Sequence, residues 1–129
     1  MKILLVLILL LPTAFAINLT VDYPKNVLLN SEFEIGIYSN SSESFDIKID
    51  IFEDEKRISR IWNGEKWAST MYYLINDFSS EKTYQLKTEN HIGIADLIVK
   101  LRKDKDVFIF GPYQINIDKS NSENNEIEN

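Results

Sequence analysis

Cysteine is absent from this 129-residue chain, so no disulfide can staple the fold and no thiolate can act as nucleophile or metal ligand. A small domain without disulfides must stand on its apolar core alone. The same absence removes the residue to which a bacterial lipid anchor would attach. Histidine occurs once, at His91. One histidine and no cysteine cannot compose a zinc site of the usual kind. His91 lies in the turn-like stretch "ENHIG" with no nucleophile and base arranged around it in sequence, and it reads as an exposed loop residue. The four glycines stand singly, which excludes a glycine-rich loop cradling phosphate. These gaps point away from an enzyme, from catalytic residues and from a bound cofactor.

Basic residues are also in short supply, 14 against 20 acidic ones, and they are scattered among the acids. An acidic surface repels phosphate backbones, so nucleic acid is excluded as a partner. No polybasic stretch is present to seek anionic lipid. Long apolar runs are limited to one, at the N-terminus. In "MKILLVLILLLPTAFA", Lys2 is followed by the run Ile3 to Leu11, then Pro12, then small residues at Ala14 and Ala16. This is the architecture of a signal peptide over residues 1–16, cleaved before Ile17. The run is shorter than the roughly 20 residues a membrane helix needs, although its flank could extend it into an uncleaved anchor. Cleavage leaves a mature chain without a membrane span, secreted or held at the cell surface. Its 113 residues (129 less the 16-residue leader) suit one domain with one core.

What the mature chain has in abundance is alternation. "SEFEIGIYS" places Phe33, Ile35 and Ile37 on one face, and "SFDIKIDIF" places Phe45, Ile47, Ile49 and Ile51 opposite a wet face of Asp46, Lys48 and Asp50. "TYQLKT", "ADLIVKLR" and "VFIFGPYQINI" continue the pattern, rich in β-branched and aromatic residues. Leu97, Val99 and Leu101 join the expected core. Polar or Gly/Pro-marked breaks separate these runs at short intervals. The reading is all-β: an antiparallel β-sandwich of seven to eight strands over residues 17–118, with residues 119–129 a disordered acidic tail. Gly111-Pro112 interrupts the last strand and marks an edge, a bulge or a switch between sheets.

A strand ending in "DYP", the "SEFEI" and "FDIKIDI" strands and a glycine before "ADLIVKLR" resemble the immunoglobulin-like (Ig-like) sandwiches of archaeal and bacterial cell-surface proteins. Those of the adhesion-related CARDB kind are the nearest type. The resemblance spans Leu19 to Ile117 and is one of pattern. It implies a spacer, adhesion unit or ligand-binding appendage whose partners are other cell-surface proteins or glycans.

Few residues stand out as a site. "RIWNGEKW" carries both tryptophans around Asn63-Gly64, the strongest short hairpin signal. A two-residue type I′ turn there sets Trp62 opposite Glu65, Ile61 opposite Lys66 and Arg60 opposite Trp67. Arg60, Trp62, Glu65 and Trp67 then share one face, suited to cation–π stacking, and form either core or an aromatic platform for sugar rings. Asn18-Leu19-Thr20 and Asn40-Ser41-Ser42 are N-glycosylation sequons, so Asn18 and Asn40 are acceptor candidates in an exported chain. The clustered carboxylates read as solvated turn charges. Asp104 with Asp106, or Glu53 with Asp54, would be the first calcium ligands were there a site. The function these features suggest is an exported, non-catalytic Ig-like module acting through protein or cell-surface contacts. The alternative is a carbohydrate-binding module using the face around Trp62 and Trp67.

Overall fold

Period-two patterning becomes strand along most of residues 17–119, the part of the chain described by the computed structural model. The expected leader, and the expected tail from residue 120 onward, lie outside the described residues. Eleven strands form among the described residues: β1 (Leu19–Asp22), β2 (Asn26–Leu28), β3 (Phe33–Ser39), β4 (Ser44–Glu53), β5 (Lys56–Arg57), β6 (Ser59–Trp62), β7 (Trp67–Ser69), β8 (Leu74–Ser79), β9 (Glu81–Thr88), β10 (Gly93–Lys103) and β11 (Asp106–Asp118). Only β2, β5 and β7 are shorter than four residues, which accounts for the excess over the expected seven or eight. Among the described residues no helix is long and apolar enough to cross a membrane.

One sheet runs β1-β3-β9-β6-β7 and the other β2-β11-β10-β4-β5, with β8 also paired to β4. In immunoglobulin lettering, β1, β3, β9 and β6 are strands A, B, E and D, while β4, β10 and β11 are C, F and G. The chain is an Ig-like β-sandwich. The pairing is antiparallel as expected, except that the short β2 pairs parallel with β11. The first segment of the chain therefore divides between the sheets, β1 joining one and β2 the other.

The inner faces hold the residues that alternation selects. Ile35 and Ile37 from β3, Leu86 from β9 and Ile61 from β6 meet Phe45, Ile47, Ile49 and Ile51 from β4 and Leu97, Val99 and Leu101 from β10. Phe33 is only half-buried, packed against the core rather than inside it. Burying each such side chain contributes about 1.5–3 kcal/mol, which is how a chain without disulfides holds together. Hydroxyls add a polar tie between the sheets. Ser59 Oγ on β6 accepts from Ile51 N–H on β4 at 2.9 Å and lies 2.7 Å from Thr70 Oγ1.

The outer face of β4 is less wet than its sequence suggests. Asp50 is only 2% exposed, because Arg57 folds over it from β5. Arg57 Nε lies 2.6 Å from Asp50 Oδ1, and Lys48 Nζ lies 3.6 Å from Oδ2. At the turns, Asn30, Asp54, Ser80, Asn90 and Asp104 all take positive φ, as does Asn76 within β8. Short polar side chains such as Asn and Asp tolerate that region best.

Gly111 fulfils two of the three readings for its position. Among the described residues β11 has no outer neighbour there, and the β10–β11 register shifts between Leu97 and Val99, opposite the cis Gly111-Pro112 bond. A Cβ at Gly111, with φ of 104°, would sit 2.7 Å from the Leu97 carbonyl oxygen, so only glycine fits.

Candidate functional site

The tryptophan segment is a hairpin, but its register differs from the expected one. Trp62 pairs with Trp67, Ile61 with Ala68 and Arg60 with Ser69. The reversal centres on Gly64-Glu65 rather than Asn63-Gly64. Only Gly64 has positive φ, at 99°, so the turn is not type I′. The cause lies in Asn63, whose side-chain oxygen accepts the N–H groups of Glu65 and Lys66, both at 2.9 Å. Its backbone N–H donates to the Lys66 carbonyl at 3.1 Å. Asn63 thus acts as a flanking residue that caps the loop, and Glu65 leaves the ladder. A shift of two residues preserves side-chain parity, so Arg60, Trp62 and Trp67 still share the outer face while Ile61 remains in the core.

The chemistry on that face also differs. The two indoles meet edge to face, with centroids 5.6 Å apart at 62°. Such a pair adds about 0.5–1.5 kcal/mol, which favours the register that makes Trp62 and Trp67 direct partners. The expected Arg60 stacking is replaced by Lys87, whose ammonium lies 4.6 Å from the Trp67 ring centroid. Arg60 instead pairs with Glu89 at 3.0 Å. Trp67 is half-buried, whereas Trp62 keeps 39% of its surface exposed. A flat two-ring platform does not form; one exposed indole does.

Beside that indole lies an open groove of about 530 Å³. It forms because β6 stops pairing with β9 at Ile61–Leu86, leaving the first half of β9 without a neighbour on that side. Trp62 and Asn63 border it at the hairpin, Leu74 and Asp77 on the β8 side, and Glu34 and Gln85 along its length. Lys82 Nζ is 2.8 Å from Asp77 Oδ2, and the Tyr84 hydroxyl donates to the Asp77 carbonyl at 3.4 Å. Burial, reinforced by Asp77, pushes the Tyr84 phenol far above its ordinary range, so it stays a neutral donor. Glu34 and Gln85 are cross-strand partners, and neither makes a side-chain hydrogen bond or ion pair among the described residues. Sequence reasoning missed this pair, because period two marks both only as outward polar positions.

No protein-family model and no curated protein matches the sequence. Solved structures do match at the level of fold. One is the CARDB domain of a Pyrococcus furiosus protein in complex with di-metal ions, at 12% identity and a TM-score of 0.43, covering 81% of this chain and 94% of that domain. Another is the cohesin module of a Clostridium perfringens family 33 glycoside hydrolase, at 12% identity and a TM-score of 0.39, covering 81% and 98%. The likeness is to the sandwich fold, which the strand order above establishes independently.

The remaining singled-out residues are spread over the fold. His91 is not an exposed loop residue; its side chain is 15% exposed. Its Nδ1 lies 3.2 Å from Glu53 Oε2 and its Nε2 3.1 Å from the Ile94 carbonyl, so it ties its loop to the end of β4 and the start of β10. Asp54 and Asp104 sit in hairpin turns, and Glu53 is engaged with His91. Among the described residues, no group of three or more His, Asp or Glu side chains is placed to hold a metal ion. The two sequons converge, although 22 residues apart. Asn18 N–H donates to Asn40 Oδ1 at 3.0 Å and Asn40 N–H to the Asn18 carbonyl at 3.2 Å.

Proposed function

We propose that the chain is an exported, non-catalytic Ig-like module that works through contacts with proteins or the cell surface. The observation that carries this reading is the exposed Trp62 indole beside a groove along which the Glu34–Gln85 pair has no side-chain partner among the described residues. An exposed aromatic anchor next to polar groups with open bonding capacity suits recognition rather than turnover. The leader pattern over residues 1–16 supports export, and the adjoining sequons at Asn18 and Asn40 are its acceptor candidates for glycan.

A carbohydrate ligand is the second reading, favoured by the same groove. A carboxylate, an amide and one accessible indole are the groups that hold sugar hydroxyls and a sugar's apolar face. The deciding experiment is binding of labelled protein to intact cells, with Trp62→Ala as control. Binding that survives periodate treatment but not surface proteolysis indicates a protein partner. Binding that periodate abolishes indicates a glycan. No Trp62-dependent binding to cells of any kind would overturn both.

A further inference from the structure

Most open sheet edges among the described residues are short, charged or distorted, and the first half of β9, which lacks a neighbour on one side, begins with Glu81 and Lys82. β1 is four residues long, β7 three and β5 two, and β5 consists of Lys56 and Arg57. β8 is broken by the positive φ of Asn76. Short, charged or distorted edges resist pairing with another chain. β11 is the exception. β2 covers it only from Asn116 to Asp118, so Asp106 to Phe110 runs along the sheet border with no outer neighbour among the described residues. Neither lysine nor proline interrupts Val107 to Phe110, and Val107 and Ile109 are 48% and 62% exposed.

We infer that this edge pairs with the same edge of a second copy, continuing the sheet across a twofold axis at Phe108. The backbone dictates the register. Lys103 and Asp106 flank a two-residue reversal and therefore exchange hydrogen bonds as a pair, as do Leu101–Phe108 and Val99–Phe110 by alternation. The intervening residues, Val107 and Ile109, direct their N–H and C=O groups to the open side. In the twofold arrangement Val107 faces Ile109 of the second copy, and Ile109 faces its Val107. Each pair exchanges both of its main-chain hydrogen bonds. The same register brings the exposed apolar side chains into cross-strand contact. No like charges oppose one another, since Asp106 faces Phe110 and Lys105 faces Gly111. The contact is small, so the dimer is a weak one, suited to molecules crowded on a surface. This edge is separate from the Trp62 groove, and the inference does not depend on the function assigned to that groove.

Sedimentation equilibrium of the purified protein from about 10 μM to about 1 mM tests it. The expected result is a concentration-dependent monomer–dimer equilibrium. Val107→Lys with Ile109→Lys sets lysine against lysine twice and should weaken association at least about tenfold. Val107→Lys with Ile109→Glu sets lysine against glutamate twice and should keep the dimer. Both positions are exposed, so circular dichroism should report an unchanged fold. A wild type monomeric throughout would overturn the inference. So would a lysine–lysine variant that dimerises normally, or a lysine–glutamate variant that does not.

Discussion

Replacing Arg57 with alanine removes the main partner of a carboxylate that is almost fully enclosed. Asp50 is 2% exposed, the guanidinium lies 2.6 Å away, and it also covers the Phe52 ring at 5.0 Å from the centroid. Breaking a buried pair from one side costs about 3–5 kcal/mol, because the remaining charge is left without compensation. Two features reduce the figure here. Arg57 is 24% exposed, and the Lys48 ammonium remains 3.6 Å from the other oxygen. Arg57→Ala should therefore cost about 2–4 kcal/mol, a fall of roughly 10–25 °C in melting temperature for a domain of this size. Urea denaturation should show a lower midpoint with an unchanged slope. Replacing both partners, Asp50→Leu with Arg57→Met, should restore most of the loss, because the buried charge goes too. If Arg57→Ala falls within about 0.5 kcal/mol of wild type, Asp50 is not the dependent, enclosed group described above.

Acid stability should reflect Asp46. Its carboxyl is held below the usual carboxylate range chiefly by the Asn76 N–H at 2.8 Å, helped by Arg102 and opposed by burial. A depressed carboxylate stabilises the fold at neutral pH, and this contribution disappears as pH falls from about 4 through the folded value. Asp46→Asn should be less stable than wild type at neutral pH, with the gap closing on acidification; a pH-independent gap would contradict this. Thr88 carries a fully enclosed hydroxyl with no partner among the described residues, so Thr88→Val should raise stability by about 1 kcal/mol in denaturant melts. Gly64→Ala meets no neighbour within 4 Å and should cost only about 1 kcal/mol of backbone strain. Gly111→Ala collides with the Leu97 carbonyl and should cost on the order of 2–5 kcal/mol. Equal losses at the two glycines would refute the account of the β11 bulge.

The strand faces were legible because alternation is a local property. Ile35, Ile37, Ile47, Ile49, Leu97, Val99 and Leu101 are all buried as the pattern requires. What alternation does not carry is the identity of the neighbouring strand. Lys48 and Asp50 read as wet because nothing in "FDIKIDI" announces that Arg57, just beyond the turn, folds back across them. His91 read as exposed because its partners, Glu53 and the Ile94 carbonyl, come together only when β4 and β10 are neighbours in one sheet. The hairpin shows the same limit at short range. Asn63-Gly64 located the reversal to within one residue. The choice between Asn63 as turn centre and Asn63 as cap was settled by side-chain hydrogen bonds and the Trp62–Trp67 contact. The groove was invisible for another reason, since it is a gap created where β6 stops pairing with β9.

The most direct test of the Trp62 contact surface is the pair of indole N–H signals in a nitrogen-15 correlation spectrum, assigned with Trp62→Ala. On titration with isolated cell-surface material, the Trp62 signal should shift or broaden well before that of Trp67, which the hairpin partly encloses. If the protein binds while neither indole responds, or if no signal changes at saturating material, the Trp62 groove is not the surface through which this module works.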